Sequence, residues 1–104
     1  MSIILTTFTP ASASYSQFGS ISLIHGMPNG AMIFTHDGAR TATPSCATGA
    51  TATRWAINAT TDGGKLQASM LLSAYALNKK IVVLGTGTCS AWGDTETVDY
   101  IIIE

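Results

Sequence analysis

The chain has 104 residues, 46% of them hydrophobic and only 11% charged, and its formal net charge is −1. This length leaves room for a single domain, 1–104, with one core. Nucleic-acid binding depends on clustered Lys and Arg. Only Lys79 and Lys80 are adjacent among the few basic residues, so we expect no nucleic-acid partner. Because globular chains average about 25% charged residues, the low charge indicates a surface of small residues or one partly covered by another subunit.

The N-terminal segment 1–17 is predicted to be a strand followed by an arm. Residues 2–8 are β-branched and aromatic, which favours a strand, and residues 9–17 are small and polar. The segment lacks a positively charged start, and its apolar run Ile3–Leu5 is too short for a clear signal peptide. No apolar run approaches the ~20 residues of a membrane span, so we expect no membrane insertion.

Three further strands are predicted before any helix. Residues 18–25 alternate between apolar and polar, the turn 26–30 ends in Asn-Gly, and residues 31–36 return as the second strand of a hairpin. A long loop, 37–51, precedes a strand at 53–58 that places Trp55 and Ile57 on one face.

One helix is predicted over 65–77, with Thr61 or Asp62 as its N-cap and Asn78 as a left-handed C-terminal residue. Its apolar residues form two stripes, so we expect a helix buried on most sides. The residues predicted to contact the barrel are Leu66, Met70, Leu71 and Tyr75. One small domain covers a single stripe, so we expect a second subunit to cover the other. The expected interface is either the helix, with Ala68, Ser69 and Leu72, or the strand at 81–84. In a monomer, the N-terminal segment 2–8 would cover the second stripe instead.

The last elements are an apolar strand at 81–84, a glycine-rich connection at 85–94 and a strand at 98–103. Without the N-terminal strand, the order is β-β-β-α-β-β, which is the order of an OB-fold. The predicted fold class is therefore mainly β (α+β). It is an OB-like antiparallel barrel of five to six strands, with one helix between the third and fourth barrel strands.

The two cysteines, Cys46 and Cys89, are compatible with a disulfide, with two buried thiols or with half a metal site. No CxxC motif and no nearby His or Cys completes four zinc ligands, so we expect neither metal nor cofactor. An even pair in a small Ser/Thr-rich chain favours a disulfide, which would stabilise the chain by about 4 kcal/mol in the chain-entropy model. A disulfide in turn indicates a secreted or periplasmic protein, with the cytoplasm as the alternative.

The best candidate for ligand binding is the group Ser90, Trp92 and Asp94. An aromatic face beside short polar side chains is typical of sugar sites, although Trp92 could instead fold back onto the barrel. His36 with Asp37 is compatible with a catalytic base and its orienting carboxylate, and Cys89 with a nucleophile. A strand end and a structural disulfide are the simpler interpretations, so we expect no catalytic residues.

The stretch from Gly64 to Cys89 has four successive features: a Gly-Lys that opens the helix, Met70–Ala74, Lys79–Val83 and Gly-Thr-Gly-Thr before Cys89. With Cys46 upstream, this pattern resembles the small secreted OB-fold proteins akin to the B subunits of subtilase cytotoxin and of pertussis-like typhoid toxins. The resemblance implies a ring of five subunits whose central channel is lined by the helix. It also implies sialylated glycan ligands and a toxin A-type partner chain, but it identifies no sugar-contacting residue.

The sequence thus favours a non-catalytic binding module that recognises glycans or a host surface molecule as a homo-oligomer. The alternative is a structural or interaction protein without a small ligand. A small hydrolase that uses His36 or Cys89 is a more distant alternative.

Overall fold

The structure, a computed structural model, describes residues 13–104, so the strand predicted at 2–8 lies outside the described residues. The elements are β1 (Ile21–Gly26), β2 (Ala31–His36), β3 (Arg54–Asn58), α1 (Asp62–Ala76), β4 (Ile81–Gly85) and β5 (Glu96–Ile103), with a short 3-10 turn at Gly49–Thr51. Within residues 13–104, no helix has the length and apolarity that a membrane crossing requires.

The five strands form one mixed sheet in the order β1-β2-β3-β5-β4. The β3–β5 pair is parallel and the other pairs are antiparallel. The prediction of a mainly β fold with one helix between the third and fourth strands is confirmed. The prediction that all pairs are antiparallel is wrong, because the crossover through α1 and β4 returns β5 in the direction of β3. The named strands do not close into a barrel.

The segment just before β1 pairs with β4, the strand at the opposite edge of the sheet. Tyr15 forms an isolated bridge with Leu84 and Gly19 forms one with Ile81, both on β4. The strand predicted at 18–25 therefore begins later, at Ile21, because the chain before it turns away to pair with β4.

Helix α1 begins and ends at well-defined caps. Thr61 is the N-cap, and its hydroxyl accepts a hydrogen bond from Gly64 N at 2.9 Å. Gly64 lies in the first turn of the helix, where a Cβ would come within 1.7 Å of Asn58 O, so the close approach of this turn to Asn58 requires a glycine. At the other end Asn78 has φ 55°, and Lys79 N donates to Ala74 O as in a Schellman motif.

Only one side of α1 faces the core. Its buried residues are Gly64, Ala68, Leu71 and Ala74, and Met70 is partly buried against the core. The prediction that Leu66 and Tyr75 also contact the sheet is wrong, since they are 63% and 53% exposed. Small residues on the buried face let the helix approach the sheet closely, and the larger leucines are left at the surface.

The core lies between α1 and one face of the sheet, which we call the inner face. It contains Phe34, Trp55 and Ile57 from β2 and β3, together with residues of α1, β4 and β5. Because side chains alternate along a strand, Ile33 and Ala56 point to the opposite, outer face. Both are nonetheless buried, so the outer face is covered as well.

Candidate binding surface

The predicted ligand residues Ser90, Trp92 and Asp94 all lie in the β4–β5 loop, residues 86–95. Backbone hydrogen bonds fix both ends of this loop. Thr97 N donates to Thr88 O at 2.8 Å, and Thr95 N donates to Trp92 O at 3.0 Å. The loop therefore leaves and rejoins the sheet at defined positions.

The middle of the β4–β5 loop crosses the outer face. Ala91 N donates to Thr97 Oγ1 at 3.0 Å, and Ser90 Oγ lies 3.2 Å from the same hydroxyl oxygen. Asn29 Nδ2, in the β1–β2 turn, donates to Ala91 O at 3.3 Å. Thr97 stands beside Ala56 in the parallel pair. The loop thus extends from β5 to the β1–β2 turn across the buried outer-face residues.

The three predicted residues lie at an accessible part of this loop. Ser90 and Asp94 are exposed and Trp92 is half-buried. Asp94 Oδ1 accepts hydrogen bonds from Arg54 Nη2 and from Thr95 Oγ1, both at 2.9 Å, and the Asp94 side chain remains 56% exposed. Residues 13–104 enclose no pocket, so this part of the chain offers any ligand an open surface.

The predicted disulfide between Cys46 and Cys89 is confirmed, with a Cα–Cα distance of 6.2 Å. It joins the β2–β3 loop, residues 37–53, to the β4–β5 loop. Cys89 is therefore not a free thiol, and the interpretation of Cys89 as a nucleophile is wrong. Residues 13–104 contain no cluster of three or more His, Cys, Asp or Glu residues that could hold a metal ion.

The buried carboxylate of Glu96 is bonded to the start of the β4–β5 loop. Glu96, at the start of β5, has no solvent exposure. Its two carboxylate oxygens accept hydrogen bonds from Ser14 N, Ser14 Oγ, Arg40 Nη2 and Gly87 N. The bond from Gly87 ties the β4–β5 loop to β5, and those from Ser14 and Arg40 tie the N-terminal segment and the β2–β3 loop to the same carboxylate.

Arg40 completes this network. Its Nη1 donates to Ala52 O and Arg54 O at 2.6 and 2.9 Å, and its guanidinium carbon lies 3.6 Å from the centre of a Trp55 ring. Burial lowers the pKa of Arg40 below its usual value, while the bond to Glu96 acts in the opposite direction. Arginine still stays protonated in proteins, so the pair is ionic.

Sequence reasoning missed the Arg40–Glu96 pair. Arg40 and Glu96 are 56 residues apart in sequence, and no local pattern pairs them. Gly85 was the available signal, because a Cβ there would come within 1.9 Å of Glu96 Oε2 and 2.7 Å of the Trp55 ring. The close packing of Gly85 against Trp55 and the buried Glu96 carboxylate thus explains why β4 ends in a glycine.

His36 and Asp37 do not form a hydrogen-bonded pair. His36 is buried and its Nε2 lies 2.9 Å from Ile81 O, while its Nδ1 has no hydrogen-bond partner among the described residues. Asp37 Oδ1 instead accepts a hydrogen bond from Ser20 N at 2.6 Å. Burial lowers the pKa of His36 from its usual 6.5. His36 thus links β2 to β4, and His25 is exposed in the hairpin.

The residues predicted for a subunit interface do not all share one face. Ser69 and Leu72 are exposed, but Ala68 is buried against the core of its own domain. Ala68 is therefore not accessible to a second subunit, because the helix turns this residue toward the sheet.

No protein-family model, curated protein or solved structure matches this chain. The comparisons therefore provide no link to the toxin B subunits that the sequence pattern resembles.

Proposed function

We propose that this protein is a non-catalytic binding module that recognises carbohydrate through the β4–β5 loop. One observation carries the proposal: this loop is fixed across the outer face with Trp92 half-buried between the exposed residues Ser90 and Asp94. The apolar face of a pyranose packs on an indole ring, and short polar side chains bond its hydroxyls. A loop already held in one conformation loses little entropy on binding.

The strand arrangement supports this location. OB-folds are partly open five-stranded barrels that bind oligosaccharides and oligonucleotides with the loops between strands 1 and 2 and between strands 4 and 5. Here the sheet order is β1-β2-β3-β5-β4, and the bridges from Tyr15 and Gly19 to β4 bring the chain before β1 to the opposite edge. We propose an OB-type barrel in which Asn29 and Ala91 join the two binding loops.

The same proposal includes a homo-oligomer assembled through α1. The exposed side of the helix has Leu66, Leu72 and Leu77, each at least 47% exposed, with the short side chain of Ser69 between them. Apolar patches of this kind usually mark interfaces. A toxin A-type partner and a secreted or periplasmic location remain part of the proposal, and the disulfide fits such a location.

A second candidate is an interaction protein without a small ligand. It is favoured by the outer face of β4 and β5, where Leu84 pairs with Tyr100 and Val82 pairs with Ile102. Tyr15 bridges to Leu84 at the edge of this face. Tyr15, Tyr100 and Ile102 are about half exposed, so this apolar surface suits a protein partner better than a sugar.

An array of immobilised oligosaccharides, probed with the oxidised protein, separates the two candidates. We expect binding to a subset of glycans, and Trp92→Ala should weaken it by about tenfold or more, since loss of a stacked aromatic removes roughly 1.4 kcal/mol. Tyr100→Ala is the matched control, because it removes an exposed aromatic ring that lies on β5, outside the β4–β5 loop. Equal loss in both variants, or no binding by the wild-type protein, would reject the carbohydrate proposal.

A further inference from the structure

We propose that the Cys46–Cys89 disulfide is a redox switch for the β4–β5 loop. In the oxidised protein it holds Ser90, Trp92 and Asp94 in place, and in the reduced protein the fold persists while the loop is released. The part of this inference that concerns ligand binding rests on the proposed function. The part that concerns the loop rests on the structure alone.

The disulfide joins two loops that lie outside the main hydrophobic cluster. Cys46 lies in the β2–β3 loop, Cys89 lies in the β4–β5 loop, and the two are 43 residues apart in sequence. The cluster and the apolar residues packed against it come from β1–β5, α1 and the residue Ala59. Ala47, beside Cys46, is buried but does not belong to this cluster. Breaking the disulfide therefore removes no contact within the cluster.

The other restraints on the β4–β5 loop are hydrogen bonds and one exposed ion pair. Gly87 at one end bonds to the buried Glu96. In the middle, Ala91 N and Ser90 Oγ bond to the Thr97 hydroxyl at 3.0 and 3.2 Å, and Ala91 O accepts an exposed hydrogen bond of 3.3 Å from Asn29. Asp94 is linked to Arg54 by an exposed ion pair, which contributes little. Among the described residues, the disulfide is thus the covalent restraint that ties residues 88–94 to the β2–β3 loop.

The Cys46 residue is exposed and Cys89 is half-buried, so a soluble dithiol reaches Cys46 more readily. A thiolate of the dithiol attacks Cys46 Sγ, the disulfide breaks, and Cys89 leaves as a thiolate that takes up a proton. The second thiolate of the dithiol then closes its own disulfide and releases Cys46, which is also protonated. Two electrons and two protons pass from the dithiol to the cysteines.

Amide hydrogen exchange of the full chain, with and without dithiothreitol, tests the structural half. We expect residues 41–51 and 88–94 to exchange at least about tenfold faster after reduction, whereas β1–β5 and α1 remain slowly exchanging and speed up only as far as the lost loop-closure stabilisation lowers the global free energy of unfolding. A Cys46→Ser/Cys89→Ser double variant should give the same pattern without reductant. A variant that fails to fold, loss of slow exchange throughout the core, or unchanged loops would each overturn the switch.

Binding measurements test whether the redox state of the disulfide controls ligand binding. The probe is the strongest ligand on the oligosaccharide array. We expect the oxidised protein to bind it at least about tenfold more tightly than either the reduced protein or the double variant, and reoxidation to restore binding. Equal affinity in both redox states would overturn the switch even if the loops open. Absence of binding by the oxidised protein would reject the carbohydrate proposal, and the exchange pattern would still decide whether the loops are redox-controlled.

Discussion

Arg40 and Glu96 form a buried ion pair in which Arg40 Nη2 lies 2.8 Å from Glu96 Oε1, and their side chains are 9% and 0% exposed. Two loops, the N-terminal segment and the start of β5 meet at this pair. Removal of one partner from a buried pair leaves an uncompensated charge, which costs more than the pair itself contributes.

Replacement of Glu96 therefore tests the importance of this network for stability. Glu96→Gln keeps the shape and removes the charge, so we expect the free energy of unfolding to fall by about 3–5 kcal/mol. Asp94→Asn, which breaks the exposed pair with Arg54, is the control and should cost less than about 1 kcal/mol. Urea denaturation measures both values. Similar small losses of unfolding free energy in the two variants would show that the buried pair contributes no more to stability than the exposed pair.

Two adjacent leucines on α1 test the orientation of the helix. Leu71 is fully buried and Leu72 is 47% exposed. Leu71→Ala should reduce the free energy of unfolding by about 2–5 kcal/mol because it leaves a cavity. Leu72→Ala should change the monomer by about 0.5 kcal/mol or less. If the monomer tolerates Leu71→Ala as well as Leu72→Ala, the orientation of α1 on the sheet is wrong.

His36 makes stability dependent on pH. Its pKa is lowered in the folded protein by burial, so the unfolded chain binds a proton more readily below its ordinary pKa of about 6.5. The contribution of neutral His36 to the free energy of unfolding is complete above this ordinary pKa and is lost as the pH falls below it. We expect His36→Gln to reduce the loss of unfolding free energy between pH 8 and pH 5, measured by urea denaturation, and His25→Gln to leave it unchanged. An unaltered pH dependence in His36→Gln would contradict the burial effect.

Self-association through α1 is tested by three charge substitutions. Ser69→Glu and Leu72→Glu place a carboxylate on the exposed side of the helix, so each should dissociate an oligomer without unfolding the subunit. Ala68→Glu should unfold the chain instead, because it buries a charge in the core. Sedimentation velocity at micromolar concentration, paired with circular dichroism, distinguishes these results. A monomeric wild-type protein would exclude this interface.

The alternation of apolar and polar residues at 18–25 and the turn at Asn29-Gly30 made the hairpin of β1 and β2 predictable from sequence. The same was true of the disulfide and of the helix ends at Thr61 and Asn78. The side of α1 that is buried was not predictable, because hydrophobicity favours leucines over Ala68 and Ala74, whereas close approach to the sheet favours the small residues. The parallel β3–β5 pair depends on contacts distant in sequence, which no local pattern encodes.

The predicted site residues were correctly grouped in one loop, but sequence gave no indication of what supports them. The bonds from Thr97 and Asn29 to the loop depend on the sheet order. The burial of Glu96 depends on three segments far apart in the chain, which bring Ser14, Arg40 and Gly87 to one carboxylate. Such a network contradicts the expectation that isolated charges are solvated.

The proposal that the β4–β5 loop binds carbohydrate is tested most directly by amide chemical-shift mapping. The oxidised, isotope-labelled protein would be titrated with the oligosaccharide that binds most strongly on the array. We predict shift changes confined to residues 86–95, the β1–β2 turn at Asn29 and the indole NH of Trp92. Changes centred on Tyr15, Tyr100 and Ile102, or no changes at a saturating concentration, would contradict the proposal.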